Sequence, residues 1–278
     1  AAMSGPAGTA GRRRGARTMN KRNSLHNLLD QLDKDGFVLL HRLCGNEFVE
    51  RIMDVARQRI RVVQKALGTK EIGIGSAAGY EEIVQRSPGR WDVPITPQQF
   101  GFDERELPWS PLITAGLGAD AEHSFSGVVF SYPDSPAQCW HTDSPHVAAE
   151  HIAPHALNVL VALHDIPLEM GPTEFARGSH FLTNHLSNPS LERDELIYQH
   201  AHTSPEWLVK DTQDPVPESC ASELAAGSCV VFDDRLLHRG LANRSDSTRH
   251  MFYFSYRQKG YSENTHFESQ RSVFDPST

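Results

Sequence analysis

From residue 125 to residue 257 the chain breaks into short β-branched or aromatic runs, and this texture restricts its fold more than any other feature. The runs are FSGVVFSY (125–132), ALNVLVALHDI (156–166), TEFARGS (173–179), SCVVFDD (228–234) and RHMFYFSYR (249–257). Each is bounded by Gly, Pro, Asp or Asn, the residues that end strands. A parallel α/β sheet needs a crossover helix between successive strands, and no helical pattern separates these runs. They therefore predict a mainly β fold, either an all-β barrel or a double-sheet jelly roll.

The helices belong at the front. In LHNLLDQLDKDGFVLL, Leu25, Leu28, Leu29 and Leu32 share one helical face, Gly36 interrupts it, and Phe37 to Leu40 read as a short strand. GNEFVERIMDVARQRIRVVQKALG follows, with Asn46 as N-cap and Gly68 as stop. Its stripe of Phe48, Val49, Ile52, Val55, Ala56, Ile60, Val63 and Leu67 marks an amphipathic helix packed on a core. Two stretches lack a period, 69–115 and 181–222, and a long irregular segment in a compact domain is usually a functional cover, so both are expected to be lid-like. GIGSAAGYEE has glycines but no strand, helix or Lys context for a phosphate loop.

Charge separates the chain into two parts. Residues 1–22 carry six of the 27 basic side chains and no acidic one, so the remainder sets 21 basic against 35 acidic side chains. A body that acidic is a poor binder of nucleic acid or of anionic membrane. Residues 1–23 read as a disordered basic arm, either a solvated or appended tail or an Arg-rich organelle-targeting segment. Residues 24–278 read as one domain. No apolar run reaches the roughly 18 to 20 residues of a membrane-spanning helix. Cys44, Cys139, Cys220 and Cys229 lie far apart with no Cys-x-x-Cys pair, which suits a reducing, intracellular and cytoplasmic setting.

One stretch, QCWHTDSPH (138–146), places two imidazoles and a carboxylate close together. A His-x-Asp triplet is expected about once by chance in a chain with 15 His, so the triplet alone decides nothing. On a strand, however, His141 and Asp143 point to one face while Trp140 and Thr142 point away. A mononuclear non-haem Fe(II) site needs two His and one carboxylate on one face, with the other positions open. His238, in VVFDDRLLHRG, is the candidate third donor from a distant strand. Arg249 opens the next strand, where an Arg either meets an anion that offsets its burial or anchors the strand end through a surface ion pair; Arg244 and Arg257 are alternatives for the anion role. His146 is a weaker candidate donor because Pro145 breaks the strand, and His180 reads as structural. Gln138, Asn158 and Thr173 are polar residues on apolar stretches, suited either to a co-substrate or iron-bound water or to capping strand ends.

QCWHTD (138–143), MGPTEFARGSH (170–180), GSCVVFDDRLLHRGLANRSDSTRHMFYFSYR (227–257) and LDKDGFVLL together resemble the phytanoyl-CoA dioxygenase family of Fe(II) and 2-oxoglutarate oxygenases, over about residues 26–257. The resemblance implies a distorted double-stranded β-helix of the jelly-roll, cupin-like kind. It implies Fe(II) on His141, Asp143 and His238, with Arg249 pairing the distal carboxylate of 2-oxoglutarate. Dioxygen would be the oxidant and succinate and CO2 the by-products. The family usually has Pro where this chain has Arg177, a departure confined to a turn. Halogenating relatives replace the carboxylate with a small residue, so Asp143 implies hydroxylation, desaturation or ring closure of a C–H. Family substrates include acyl-CoA thioesters, amino acids and natural-product intermediates, and the acidic body disfavours a polyphosphate-bearing acyl-CoA. The substrate is expected to be a small molecule, with a peptide still open and the oligomeric state undetermined. Two other classes stay open at this level. A cupin-type dioxygenase would draw its metal ligands from the His-rich 141–164 stretch and leave Arg249 incidental, and a non-catalytic binding protein would keep the barrel alone.

Overall fold

The computed structural model describes residues 14–103, 106–192, 196, 204–210, 212–261 and 267–276, with side chains from residue 24 onward. Four helices and ten strands follow in the order α1 (Arg14–Asp35), β1 (Phe37–Leu40), α2 (Asn46–Leu67), β2 (Val84–Ser87), β3 (Arg90–Pro94), α3 (Pro97–Phe100), α4 (Ser110–Leu117), β4 (Glu122–Ser131), β5 (Ala156–Ala162), β6 (Thr173–Ala176), β7 (Ser219–Ala221), β8 (Cys229–Asp233), β9 (His238–Gly240) and β10 (Arg249–Arg257). Seven strands form one sheet in the order β1-β8-β5-β10-β4-β3-β2, and three form a second in the order β7-β6-β9. All paired strands within the two sheets are antiparallel. This is the mainly β, double-stranded β-helix architecture with flanking helices that the strand pattern predicts.

β10 is the axis of the large sheet, hydrogen-bonded along its length to β4 on one side and β5 on the other. Its side chains alternate between two environments, as a strand's must. Phe252, Phe254 and Tyr256 enter the main core with Phe100 and Trp109, where Trp109 Nε1 donates to the Tyr256 hydroxyl at 2.9 Å. Arg249, Met251, Tyr253 and Ser255 face the opposite way and line a cavity. α2 closes the core from outside through Val49, Ile52, Met53, Ala56, Ile60 and Val63. Burying each of the larger of these side chains contributes about 1.5–3 kcal/mol. Its N-cap is Gly45 rather than Asn46, and its C-terminus is closed by the Gly68 N–H on the Gln64 carbonyl.

Three expectations need revision. α1 begins at Arg14, ten residues before Ser24, because Arg, Ala, Met and Lys continue its helix toward the N-terminus; the rest of the basic arm lies outside the described residues. Residues 69–115 are not one irregular cover, since β2 and β3 extend the main sheet and Ile95, Phe100, Trp109, Leu112 and Ile113 are core. The glycines and prolines there end very short strands rather than mark a loop. The described part of 181–222 lines no part of the cavity. Leu191, Leu196, Leu208 and Val209 instead cover the outer side of Trp140, Ala176 and Leu237. The four cysteines are free thiols, as their spacing suggests.

Candidate metal centre and co-substrate pocket

His141 and His238 are brought together by the backbone. His141 N donates to the His238 carbonyl at 3.0 Å, and His238 N donates back to the His141 carbonyl at 2.9 Å. The two residues thus form an isolated antiparallel bridge between the 138–143 stretch and β9. Residues opposite each other in an antiparallel pair project from the same face. Their rings accordingly lie 4.4 Å apart. Asp143 follows two positions on, held by its N–H on the Asp234 carbonyl at 2.8 Å. The expected strand is therefore a single bridge, yet the alternation survives, with Trp140 turned into the outer apolar layer and the Thr142 hydroxyl donating to the Leu196 carbonyl at 3.3 Å.

Each imidazole is oriented for donation. Nδ1 of His141 donates to the Cys139 carbonyl at 3.0 Å, and Nδ1 of His238 to the Leu236 carbonyl at 2.9 Å. A carbonyl accepts only, so both rings carry the proton on Nδ1 and present the Nε2 lone pair inward. Nε2 of His141 lies 4.0 Å from Asp143 Oδ1, and Nε2 of His238 lies 3.7 Å from Asp143 Oδ2. The three donor atoms fall within 4.8 Å of one another. Burial, reinforced by His238, pulls the His141 imidazole down to about 4, so it is neutral at physiological pH, the form a metal binds. Two imidazoles and one carboxylate on one face, open on the other, make a donor set suited to ferrous iron.

The donors border a cavity of about 350 Å³. Across it stand two guanidiniums, Arg249 on β10 and Arg90 on β3, 2 % and 0 % exposed. Register explains their meeting, because Ser131 of β4 is paired with Arg249 on one side and Arg90 on the other. Both donate to the Ser131 hydroxyl, at 3.2 Å from Arg249 and 2.9 Å from Arg90. Their other acceptors are the carbonyls of Gly171 for Arg249 and of Gly240, Leu241 and Pro136 for Arg90. Arg249 Nε has no partner among the described residues. Burial lowers Arg249 to about 10, and burial together with Arg249 pulls Arg90 well below the usual guanidinium range. Two buried cations on neutral acceptors are costly unless an anion joins them. A dicarboxylate anchored at this end fits that deficit.

Gln138, Asn158 and Thr173 also line the cavity, but their surroundings differ. Gln138 Oε1 accepts from Gly240 N at 3.1 Å beside Arg90. A Cβ on Gly240 would stand 2.7 Å from Arg90 Nη1 and 2.8 Å from Gln138 Oε1, so only glycine leaves this end of the pocket open. Thr173 opens β6 opposite Gly240. Asn158 sits at the metal end, where its amide donates to Asp143 Oδ2 at 2.7 Å while its carbonyl accepts from Ser255. His146 lies outside the donor set, its Nε2 3.0 Å from the Thr183 hydroxyl. His180 is tied to the Asp33 carbonyl at 2.8 Å, a structural role. Arg257 pairs with Glu122 at 3.7 Å and Arg244 is exposed, so neither alternative to Arg249 lines the cavity.

Sequence reasoning missed the β3 wall. Asp92, two residues after Arg90 and on the same face, accepts from the Tyr253 hydroxyl at 2.8 Å and from Arg86 Nη2 at 2.6 Å. Burial raises the Asp92 carboxyl despite Arg86, and burial beside Asp92 raises the Tyr253 phenol. The signal was the alternation Arg90-x-Asp92 next to a β-branched residue, hidden by the flanking Gly and Pro.

Three solved structures show how this fold is used elsewhere. The epimerase SnoN, in complex with Fe3+, alpha ketoglutarate and nogalamycin RO, superposes with a TM-score of 0.60 at 19% identity, covering 88% of this chain and 93% of that one. The carbocyclase SnoK from nogalamycin biosynthesis gives 0.56 at 21% identity, covering 87% of each chain. HygX from Streptomyces hygroscopicus, with nickel, 2-oxoglutarate and hygromycin B bound, gives 0.54 at 16% identity, covering 85% of this chain and 88% of that one. At such identities these likenesses speak for the fold. The family model for phytanoyl-CoA dioxygenase (PhyH) matches residues 32–251, most of the chain, so the protein belongs to the PhyH family and is an Fe(II)- and 2-oxoglutarate-dependent oxygenase.

Proposed function

We propose that His141, Asp143 and His238 hold the ferrous ion, that Arg249 with Arg90 receives the distal carboxylate of 2-oxoglutarate, and that the reaction hydroxylates, desaturates or cyclises a C–H of a small molecule in the same cavity. The observation that carries this reading is that three convergent donors and two carboxylate-free buried guanidiniums share one 350 Å³ space. When bound, iron with 2-oxoglutarate and dioxygen supplies oxidative decarboxylation to succinate and CO2, coupled to attack on a C–H. The chain's own part is positioning. The two Nδ1–H bonds fix the imidazoles, Asn158 fixes one oxygen of Asp143, and the Ser131 hydroxyl spaces the guanidiniums. Val129, Leu160, Phe232 and Met251 add apolar wall that keeps bulk water from the reacting centre.

The substrate end is amphipathic, with Arg86, Asp92 and Tyr253 against those apolar side chains. SnoN and HygX were solved with nogalamycin RO and hygromycin B, and a small polar natural product suits this pocket in the same way. The acidic body supports neither nucleic acid nor anionic membrane as partner.

The decisive test is spectroscopic. Iron(II) and 2-oxoglutarate, added under nitrogen, should give a weak visible charge-transfer absorption. Arg249→Ala should weaken 2-oxoglutarate binding by about 1.5–3 kcal/mol, the worth of charge-assisted hydrogen bonds, with iron retained. No absorption in the intact protein would defeat the reading, and unchanged affinity in the variant would remove Arg249 from it. Substrate-stimulated succinate release over a panel of small molecules then identifies the substrate.

A further inference from the structure

The family match ends at residue 251, and a stretch beyond it packs on the outside of a segment that lines the cavity. Residues 267–275 run back along 70–86, the stretch that gives Ile74, Gly75, Ser76 and Arg86 to the cavity wall. Ile74 is 56 % exposed while lining the cavity, which marks this lip as the place where the cavity meets solvent. The lip, GIGSAAG, is short of side chains that could anchor it in the core. Such a backbone loses much conformational freedom when ordered, and beside its own bridge from Ile74 to Gln85 and the Gly75 N–H on the Gln85 carbonyl at 2.9 Å, it is held by contacts from elsewhere.

Those contacts come from the C-terminal stretch. At the cavity end the Ser76 hydroxyl donates to Glu268 Oε2 at 2.6 Å, and the Arg86 guanidinium lies over the Phe267 ring at 5.2 Å. In the middle, Glu81 N donates to the Arg271 carbonyl at 2.8 Å, while the Arg271 guanidinium covers the Tyr80 ring at 4.2 Å and donates to its hydroxyl. At the far end Glu82 accepts from the Ser272 hydroxyl at 2.6 Å and from Val273 N at 2.9 Å, and Val273 is buried in the main core. Phe267 thus backs the same Arg86 that Asp92 holds from inside the cavity.

We infer that residues 267–275 are a strap that fixes the substrate entrance, with Glu268 and Phe267 as positioning residues for the 74–76 lip and for Arg86. The inference rests on the proposed site, because it assigns the 350 Å³ cavity to co-substrate and substrate. The cavity wall lies within the family match and the strap supports it from outside, so the strap contributes to which substrates pass.

The test compares the wild type with the double variant Phe267→Ala, Glu268→Ala and with the control Phe274→Ala, whose exposed ring lies over Arg59 at the outer end. Val273 is untouched in both, so the strap stays anchored and the fold is kept, which thermal melting checks. Hydrogen exchange of peptides spanning 72–87 should quicken about tenfold in the double variant and stay unchanged in the control. With iron(II) and 2-oxoglutarate under nitrogen, stopped-flow absorption should show association about threefold faster in the double variant, with equal final amplitude. Unchanged protection of 72–87, or loosened protection with an unchanged association rate, would overturn the strap. If the wild type gives no absorption, the metal assignment fails instead, and the exchange result alone decides the strap.

Discussion

Asn158 shows how much of the site is set one step away from the donors. Its amide holds Asp143 Oδ2 at 2.7 Å, and Ser255 holds its carbonyl in turn. Groups that orient a metal ligand typically contribute about 10–100-fold to affinity. Asn158→Ala should therefore weaken iron(II) binding by roughly tenfold or more, read by titration, with 2-oxoglutarate affinity of the iron-saturated protein little changed. A loss confined to 2-oxoglutarate would instead return Asn158 to the co-substrate. The residue's importance was legible in the sequence as an amide on an apolar strand, but its partner was not, since a polar side chain in a core announces only that something must satisfy it. That His141, Asp143, His238 and Arg249 meet at one cavity was legible from the motifs that carry them. Arg90 was not, because its partner across the sheet is set by the pairing of β3 with β4, which no local pattern encodes.

At the level of elements, β4 and β10 carry the cavity, and at Gly127 of β4 neither the β3 backbone nor the Tyr253 ring leaves room for a side chain. A Cβ there would stand 2.5 Å from the Val93 carbonyl oxygen and 2.7 Å from the Tyr253 hydroxyl. The Tyr253 ring crosses β4 over that glycine to reach Asp92. Gly127→Ala must move either the β3 backbone or the phenol, and overpacking of this kind costs about 1–3 kcal/mol. The expected result is a lowered melting temperature together with loss of the Tyr253–Asp92 bond, and an unchanged melting temperature would show that the strands yield freely. The β runs after residue 125 and the α2 stripe were readable from their periods alone. β2 and β3 were not, because strands of four and five residues flanked by Gly and Pro are too short to show a period. In the described part of 181–222 the lack of period hid four apolar side chains that pack against Trp140, Ala176 and Leu237.

Across the whole molecule, buried imidazoles couple stability to pH. Burial first of all pulls His123, His155 and His250 down to about 4 and His146 to about 3 from an ordinary 6.5. Arg235 adds to the effect at His146 and His155, while Asp233 opposes it. A group whose folded state favours the neutral form binds fewer protons folded than unfolded below 6.5, so stability falls as acid is added. The contribution is intact above pH 6.5 and is lost progressively between 6.5 and 4. Melting temperature of the metal-free protein should therefore decline across that window, before the carboxylates have titrated in full. His155 offers the sharper check, being 3 % exposed with its Nε2 3.6 Å from the buried Asp234 carboxylate. Replacing it by Phe, which cannot take a proton, should flatten the decline, whereas a slope equal to wild type would place the acid sensitivity at the other buried imidazoles, His141 among them.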